Sequence, residues 1–187
     1  GVIACSAPDI WLLEDTDGDD VEDKRTKLYT NIGTRDTHAV INNMRWGQDG
    51  WVYATHGYSD SDNVTSGDGS QHFGNIGSGV VRFKPDGSKI EQYSSKGGNT
   101  WGLTITGDNR VMWTQPTSGT LLNQVILPEY ALARGKVGNT ASFNTIIASQ
   151  KSYSSIKYED LAYVQIDRVG DFTAGAGAVV YDGGAWP

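Results

Sequence analysis

The sequence predicts an all-β chain. Its apolar residues come in short or alternating runs, Gly, Asp and Asn turns separate those runs, and helical periodicity nowhere lasts beyond a turn or two. Gly (24), Tyr (9) and Trp (6) are abundant among the 187 residues, which suits short strands joined by tight turns. Hydrophobic residues at 37% and charged residues at 20% describe a globular chain with a packed core.

The elements follow in order. Val2-Ile3-Ala4-Cys5 reads as a strand. Asp9 to Glu14 leads through an Asp-rich turn into Thr26-Lys27-Leu28-Tyr29, a strand–turn–strand unit. Met44 to Thr55 forms a second such unit, turning at Asp49-Gly50. The stretch from Gly57 to Ser78, rich in Gly, Ser and Asp, reads as a long loop. Gly79 to Tyr93 is a third unit, and its Pro85-Asp86-Gly87 turn has a mechanism: Pro presets φ and Gly accepts positive φ. Leu103 to Thr114 is a fourth, turning at Asp108-Asn109. Short helical turns are expected at Pro128 to Ala133 and Ile156 to Tyr163.

The two kinds of hairpin alternate. Two hairpins make a four-stranded sheet, and sheets repeated radially make a β-propeller. The repeat of roughly 60 to 70 residues exceeds a typical blade, and the surplus falls in loops. A β-sandwich would show similar hairpins. On the propeller reading, residues 1–187 are a fragment of a single domain, a partial propeller of roughly three blades. The remaining blades then come from the same or another chain, because both ends read as cut from something longer.

The formal net charge of −7 argues against nucleic acid or an anionic membrane as partner. No apolar run approaches the roughly 20 residues of a membrane helix. A single cysteine, Cys5, allows no internal disulfide and sits in an apolar run, as a buried, inert thiol would.

Two groups of residues carry candidate chemistry. In the acidic loop, Asp15, Asp17, Asp19 and Asp23 stand at positions one, three, five and nine, with the Val21 carbonyl at seven. That spacing wraps oxygens around a hard cation such as Ca2+. Position six is Asp20 and position twelve is Thr26, and no helices flank the loop, so it is not an EF-hand. A solvated acidic turn is the competing reading. The second group is Asp36-Thr37-His38, just ahead of the Met44 hairpin. A neutral imidazole at a loop-to-strand junction can act as a general base, with Asp36 orienting it. A surface histidine without a chemical role fits the same residues. His56 and His72 read as packing or loop-bonding residues, and the three histidines match no zinc spacing.

Several motifs then occur in a known order. They are Asp15-Thr16-Asp17-Gly18-Asp19, Asp36-Thr37-His38, Trp46-Gly47-Gln48-Asp49-Gly50-Trp51-Val52-Tyr53, Gly97-Gly98-Asn99-Thr100-Trp101-Gly102-Leu103, Thr114-Gln115-Pro116-Thr117-Ser118-Gly119, and Tyr181 to Pro187. This set resembles the sugar-dehydrogenase-like propellers that bind pyrroloquinoline quinone (PQQ), and most closely the large, secreted membrane-bound-dehydrogenase type of planctomycetes. The resemblance implies a six-bladed propeller, a periplasmic or extracellular location and a quinoprotein-like dehydrogenase that oxidises a sugar or alcohol. Electrons would pass to a cytochrome c domain or subunit. It makes His38 the base and sets Asn99 beside the quinone. The family's arginine for the quinone carboxylates falls at Gly98 here, and glycine cannot replace it. A non-catalytic propeller, serving as a structural or binding subunit of a larger extracytoplasmic assembly, is the alternative.

Overall fold

The computed structural model describes residues 1–94, 98–115, 121–135, 138, 140–148, 175–181 and 183–184. The expected turn at Ile156 to Tyr163 and the motif residues Gly97, Pro116 to Gly119, Asp182 and Ala185 to Pro187 lie outside them. Within them the chain is all-β, with three sheets of antiparallel strands and one short helix.

The first sheet starts with β1 (Val2–Ser6), β2 (Asp9–Glu14) and β3 (Lys24–Thr30), where Asp9 to Glu14 and the Asp-rich turn were expected to make a hairpin. The second joins β4 (Ile41–Trp46), β5 (Val52–His56), β8 (Gly79–Phe83) and β9 (Ile90–Ser94) in that spatial order. Two hairpins thus merge into one four-stranded sheet through the β5–β8 pairing, from Val52 opposite Phe83 to His56 opposite Gly79. The third holds β10 (Gly102–Ile105), β11 (Val111–Thr114), β12 (Leu122–Val125) and β13 (Phe143–Ile147). The helix α1 (Glu129–Leu132) falls inside the expected Pro128 to Ala133 turn.

The expectation of a long loop from Gly57 to Ser78 is corrected. That stretch contains β6 (Ser61–Ser66) and β7 (His72–Ile76). It leaves the second sheet after β5, pairs β6 with β3 of the first sheet, and returns to the second sheet at β8. The first sheet is therefore five-stranded. Polar residues hid this hairpin, because Ser, Asp and Asn fill positions that would be apolar in a half-buried strand. Its apolar anchors are Val64 and Ile76, both buried.

Period-two alternation explains the core. On β5, Val52 and Ala54 join Ile10, Leu28 and Tyr29 in the cluster between the first and second sheets. Their neighbour Tyr53 joins Val80, Leu103, Val111 and Trp113 between the second and third. All five residues of both β5 and β8 are buried, so the second sheet is covered on both faces, with Thr55, His56 and Arg82 buried alongside the apolar residues. Tyr29 ties the first two sheets together. Its ring meets Phe73 and Phe83 edge-on at 5.8 and 5.6 Å, and its hydroxyl lies 2.7 Å from the Lys84 carbonyl oxygen. Burial pushes that hydroxyl's pKa up. Arg82 is the buried cation of the other core. It reaches Glu91 at 2.6 Å and stacks on Trp51 at 4.0 Å, which satisfies its fork and its planar face together.

Candidate functional site

The loop from β3 to β4 carries Asp36 and His38, and the turn after β5 carries Gly57, Tyr58 and Ser59. Backbone pairing brings them together, because Ile41 on β4 stands opposite His56 on β5. The clamp continues beyond the strands. Ser59 N–H donates to the Ala39 carbonyl at 3.1 Å. Asp36 N–H donates to Ser59 Oγ at 2.9 Å, and Ser59 Oγ donates to the Asp36 carbonyl at 2.6 Å.

His38 projects outward, with its side chain 90% exposed. One carboxylate oxygen of Asp36, Oδ1, accepts the His38 backbone N–H at 2.8 Å and faces His38 Nδ1 at 3.2 Å. The other, Oδ2, accepts the Tyr58 hydroxyl. The Tyr58 hydroxyl is the main reason the Asp36 carboxyl titrates below its ordinary value, followed by the His38 backbone N–H. Reciprocally, the bond to Asp36 raises the Tyr58 hydroxyl. The Arg35 guanidinium donates to the Tyr58 carbonyl oxygen and lies 3.7 Å from Asp60 Oδ2.

Asn99 arrives at the same end from the β9–β10 connection. The meeting point is Gly57. A Cβ there would overlap Asn99 Oδ1 and fall 2.7 Å from Ala39 Cα, so the residue must be glycine for the two loops to close. Asn99 Oδ1 and Thr100 Oγ1 are buried without a hydrogen-bond partner among the described residues. Gly98 has φ +71°, and a Cβ on it would overlap Gln115 Nε2. An open cavity of about 500 Å3 lies beside them, lined by Arg35, Tyr58, Asp60, Asp62, Asn75 and Gly98. Its charged lining is one cation against two carboxylates.

The acidic loop stands apart, between β2 and β3. Asp15, Asp17 and Asp19 bring one carboxylate oxygen each to within 4.8 Å of one another, and all three are exposed. Backbone N–H groups aim them: Gly18 and Asp20 donate to Asp15, Asp19 to Asp17, and Val21 to Asp19. The Gly18 bond is the main cause of a lowered Asp15 carboxyl. Asp23 lies outside this trio and accepts the Thr16 N–H at 2.7 Å. The trio supplies oxygens of the type a hard cation takes, while local turns satisfy the same oxygens in an ion-free loop.

The other singled-out residues occupy structural positions. Cys5 Sγ lies 3.4 Å from Met44 Sδ, and burial pushes its thiol up to about 12, which keeps it protonated and unreactive. His56 is fully buried and His72 is exposed on β7.

Over residues 1–187 the sequence matches the family described as Domain of unknown function (DUF7133). The chain belongs to this family. No curated protein and no solved structure gives a significant match. In this member of the family, Tyr58 and Ser59 are the site residues that sequence reasoning missed. Their only signal was position: they follow the Gly57 that ends a buried strand, where loops carry function.

Proposed function

We propose that the chain is part of a β-propeller of the sugar-dehydrogenase-like type, working outside the cytoplasm, and that its His38 end binds and deprotonates a hydroxyl of a small sugar or alcohol. One observation carries the reading: loops separated by some 60 residues, one with His38 and one with Asn99, converge on Gly57, and their Arg35 and Gly98 line an open cavity with Tyr58, while His38 and Asn99 stand outside its lining. Three sheets in series, with the second covered on both faces, also suit consecutive propeller blades better than a two-sheet sandwich.

The chemistry of the residues is direct. Asp36 is an anion and only accepts hydrogen bonds, so a neutral His38 places its hydrogen on Nδ1. The Nε2 lone pair is then free to take the hydroxyl proton, and Asp36 stabilises the imidazolium that results. The Asn99 amide oxygen is a buried acceptor without a partner among the described residues, and a ligand N–H or O–H would reach it only if the Gly57 turn moved.

PQQ, which such enzymes use to accept the hydride, is a tricarboxylate. The residues described here do not fit it. The arginine position is Gly98, Gln115 fills the space beside it, and the cavity lining carries more carboxylates than cations. No step is therefore routed through it. This mismatch supports a second reading, a non-catalytic propeller that binds hydroxylated ligands at the same cavity as a subunit of a larger assembly. On either reading the acidic loop holds Ca2+ as a structural ion, through Asp15, Asp17 and Asp19.

The test is dye reduction by the native, full-length protein as isolated, without added PQQ, on a panel of sugars and alcohols. Turnover abolished by His38→Ala is the expected result. Absence of turnover in the folded protein, together with saturable sugar binding, would replace the dehydrogenase with the binding subunit.

A further inference from the structure

The Asp36 carboxylate is held from both sides, and the two sides do different things. The Ser59 bonds fix the backbone of residue 36, so the loops stay joined whatever its side chain does. What the Tyr58 hydroxyl adds is orientation: with Oδ2 engaged by Tyr58, Oδ1 is left facing the His38 ring. Tyr58 suits this work. An aromatic side chain has two rotatable bonds, and its own backbone is secured through the Arg35 bond to its carbonyl oxygen. His38 has no comparable packing, since its side chain is nine-tenths exposed. Its ring is positioned by Asp36 and by little else among the described residues.

We infer that Tyr58 is a positioning residue: by holding Asp36 Oδ2 it keeps Oδ1 on His38 Nδ1, so that His38 presents the Nε2 lone pair outward. The inference rests on the proposed base role of His38 for its meaning, but not for its test. The ring nitrogen that carries hydrogen is set by the bond its partner makes. A histidine freed from Asp36 returns to the solution tautomer, which favours hydrogen on Nε2. Without Tyr58 the carboxylate rotates, shares its oxygens with water, and the outward lone pair is lost for part of the time.

The experiment reads imidazole 15N chemical shifts in the full-length protein at a pH where the histidines are neutral, without substrate. With three histidines in the sequence, His38→Ala assigns the His38 signals directly. The wild type is expected to show a pyrrole-like Nδ1 and a pyridine-like Nε2. Tyr58→Phe removes only the hydroxyl and is expected to move both shifts toward the solution mixture. Asp36→Asn is expected to move them at least as far. Unchanged melting temperatures in both variants would exclude unfolding as the cause. Wild-type shifts in Tyr58→Phe, or hydrogen on Nε2 in the wild type, would overturn the inference.

Turnover provides a separate arm. If the dehydrogenase reading holds, Tyr58→Phe lowers kcat about tenfold with little change in KM, a fraction of the roughly 100-fold or greater contribution of a general base. A tautomer shift without any wild-type turnover would refute the enzyme reading and leave the positioning role standing. Intact turnover in Tyr58→Phe together with wild-type ring shifts would refute the positioning role and leave the enzyme reading standing.

Discussion

His56 and Ser61 meet at 2.7 Å, Nε2 to Oγ, with both residues excluded from solvent. The pair bridges two sheets, because His56 ends β5 in the second sheet and Ser61 begins β6 in the first. Ser61 Oγ also accepts the Gly33 N–H at 2.9 Å, which ties in the chain leaving β3. One buried imidazole thus fixes the start of the hairpin that crosses between sheets.

Truncating it should be expensive. His56→Ala leaves a cavity and removes one of the two hydrogen bonds at Ser61 Oγ, and the expected loss is about 2–4 kcal/mol in urea unfolding. The same residue gives acid sensitivity. Burial pushes its pKa below the ordinary value, although the Asp60 charge opposes this. The unfolded chain therefore binds a proton near pH 6.5 that the folded chain refuses. Stability should be full above that pH, fall as pH drops below about 6.5, and level off under the folded value. Urea midpoints between pH 5 and 8 check this, and His56→Gln should flatten the slope.

The β6–β7 hairpin docks at Gly67. Its N–H donates to the Leu28 carbonyl at 2.9 Å, and a Cβ there would overlap the Lys27 carbonyl oxygen. Gly67→Ala should cost about 2 kcal/mol or more and expose the hairpin to limited proteolysis near Ser66. Gly69 is the control. It has φ +73° with open space around it, so Gly69→Ala should cost about 1 kcal/mol and leave the hairpin protected.

Gly98 can be separated into two effects. The overlap with Gln115 is relieved by shortening Gln115, whereas the positive φ is not. Gly98→Ala should cost about 1–2 kcal/mol, and adding Gln115→Ala should not restore wild-type stability. Gly98→Arg should be destabilised likewise and gain no measurable PQQ binding by titration, because the neighbouring Asp60 and Asp62 remain.

The acidic loop gives the metal prediction. If Asp15, Asp17 and Asp19 share Ca2+, chelation should lower the melting temperature by several degrees and calcium should restore it. Asp17→Asn should reduce that response. A melting temperature indifferent to chelator and calcium would leave the loop as a set of self-satisfied turns.

Much of the fold was legible because its signals are local. Pro85-Asp86-Gly87 and Asp49-Gly50 mark turns by their own backbone preferences, and both hairpins form where those residues stand. The run Gly79 to Phe83 announced a strand, and it forms β8; its burial on both faces came only with the structure. The sequence alone also placed His38 beside Asp36, since two residues of separation suffice for that contact.

Only the tertiary structure decided the rest. The hairpin of 61–76 carries no code for its partner sheet; Gly67, Tyr29 and the His56–Ser61 bond choose it through contacts distant in sequence. Tyr58 reaches Asp36 from 22 residues away, and Asn99 reaches Gly57 from 42 (99 − 57 = 42). Turn chemistry and side-chain period act within a few residues, so they fix the strands and their turns. Which strand pairs with which, and which loop tips share a cavity, is fixed by burying apolar faces and satisfying polar groups across the whole chain.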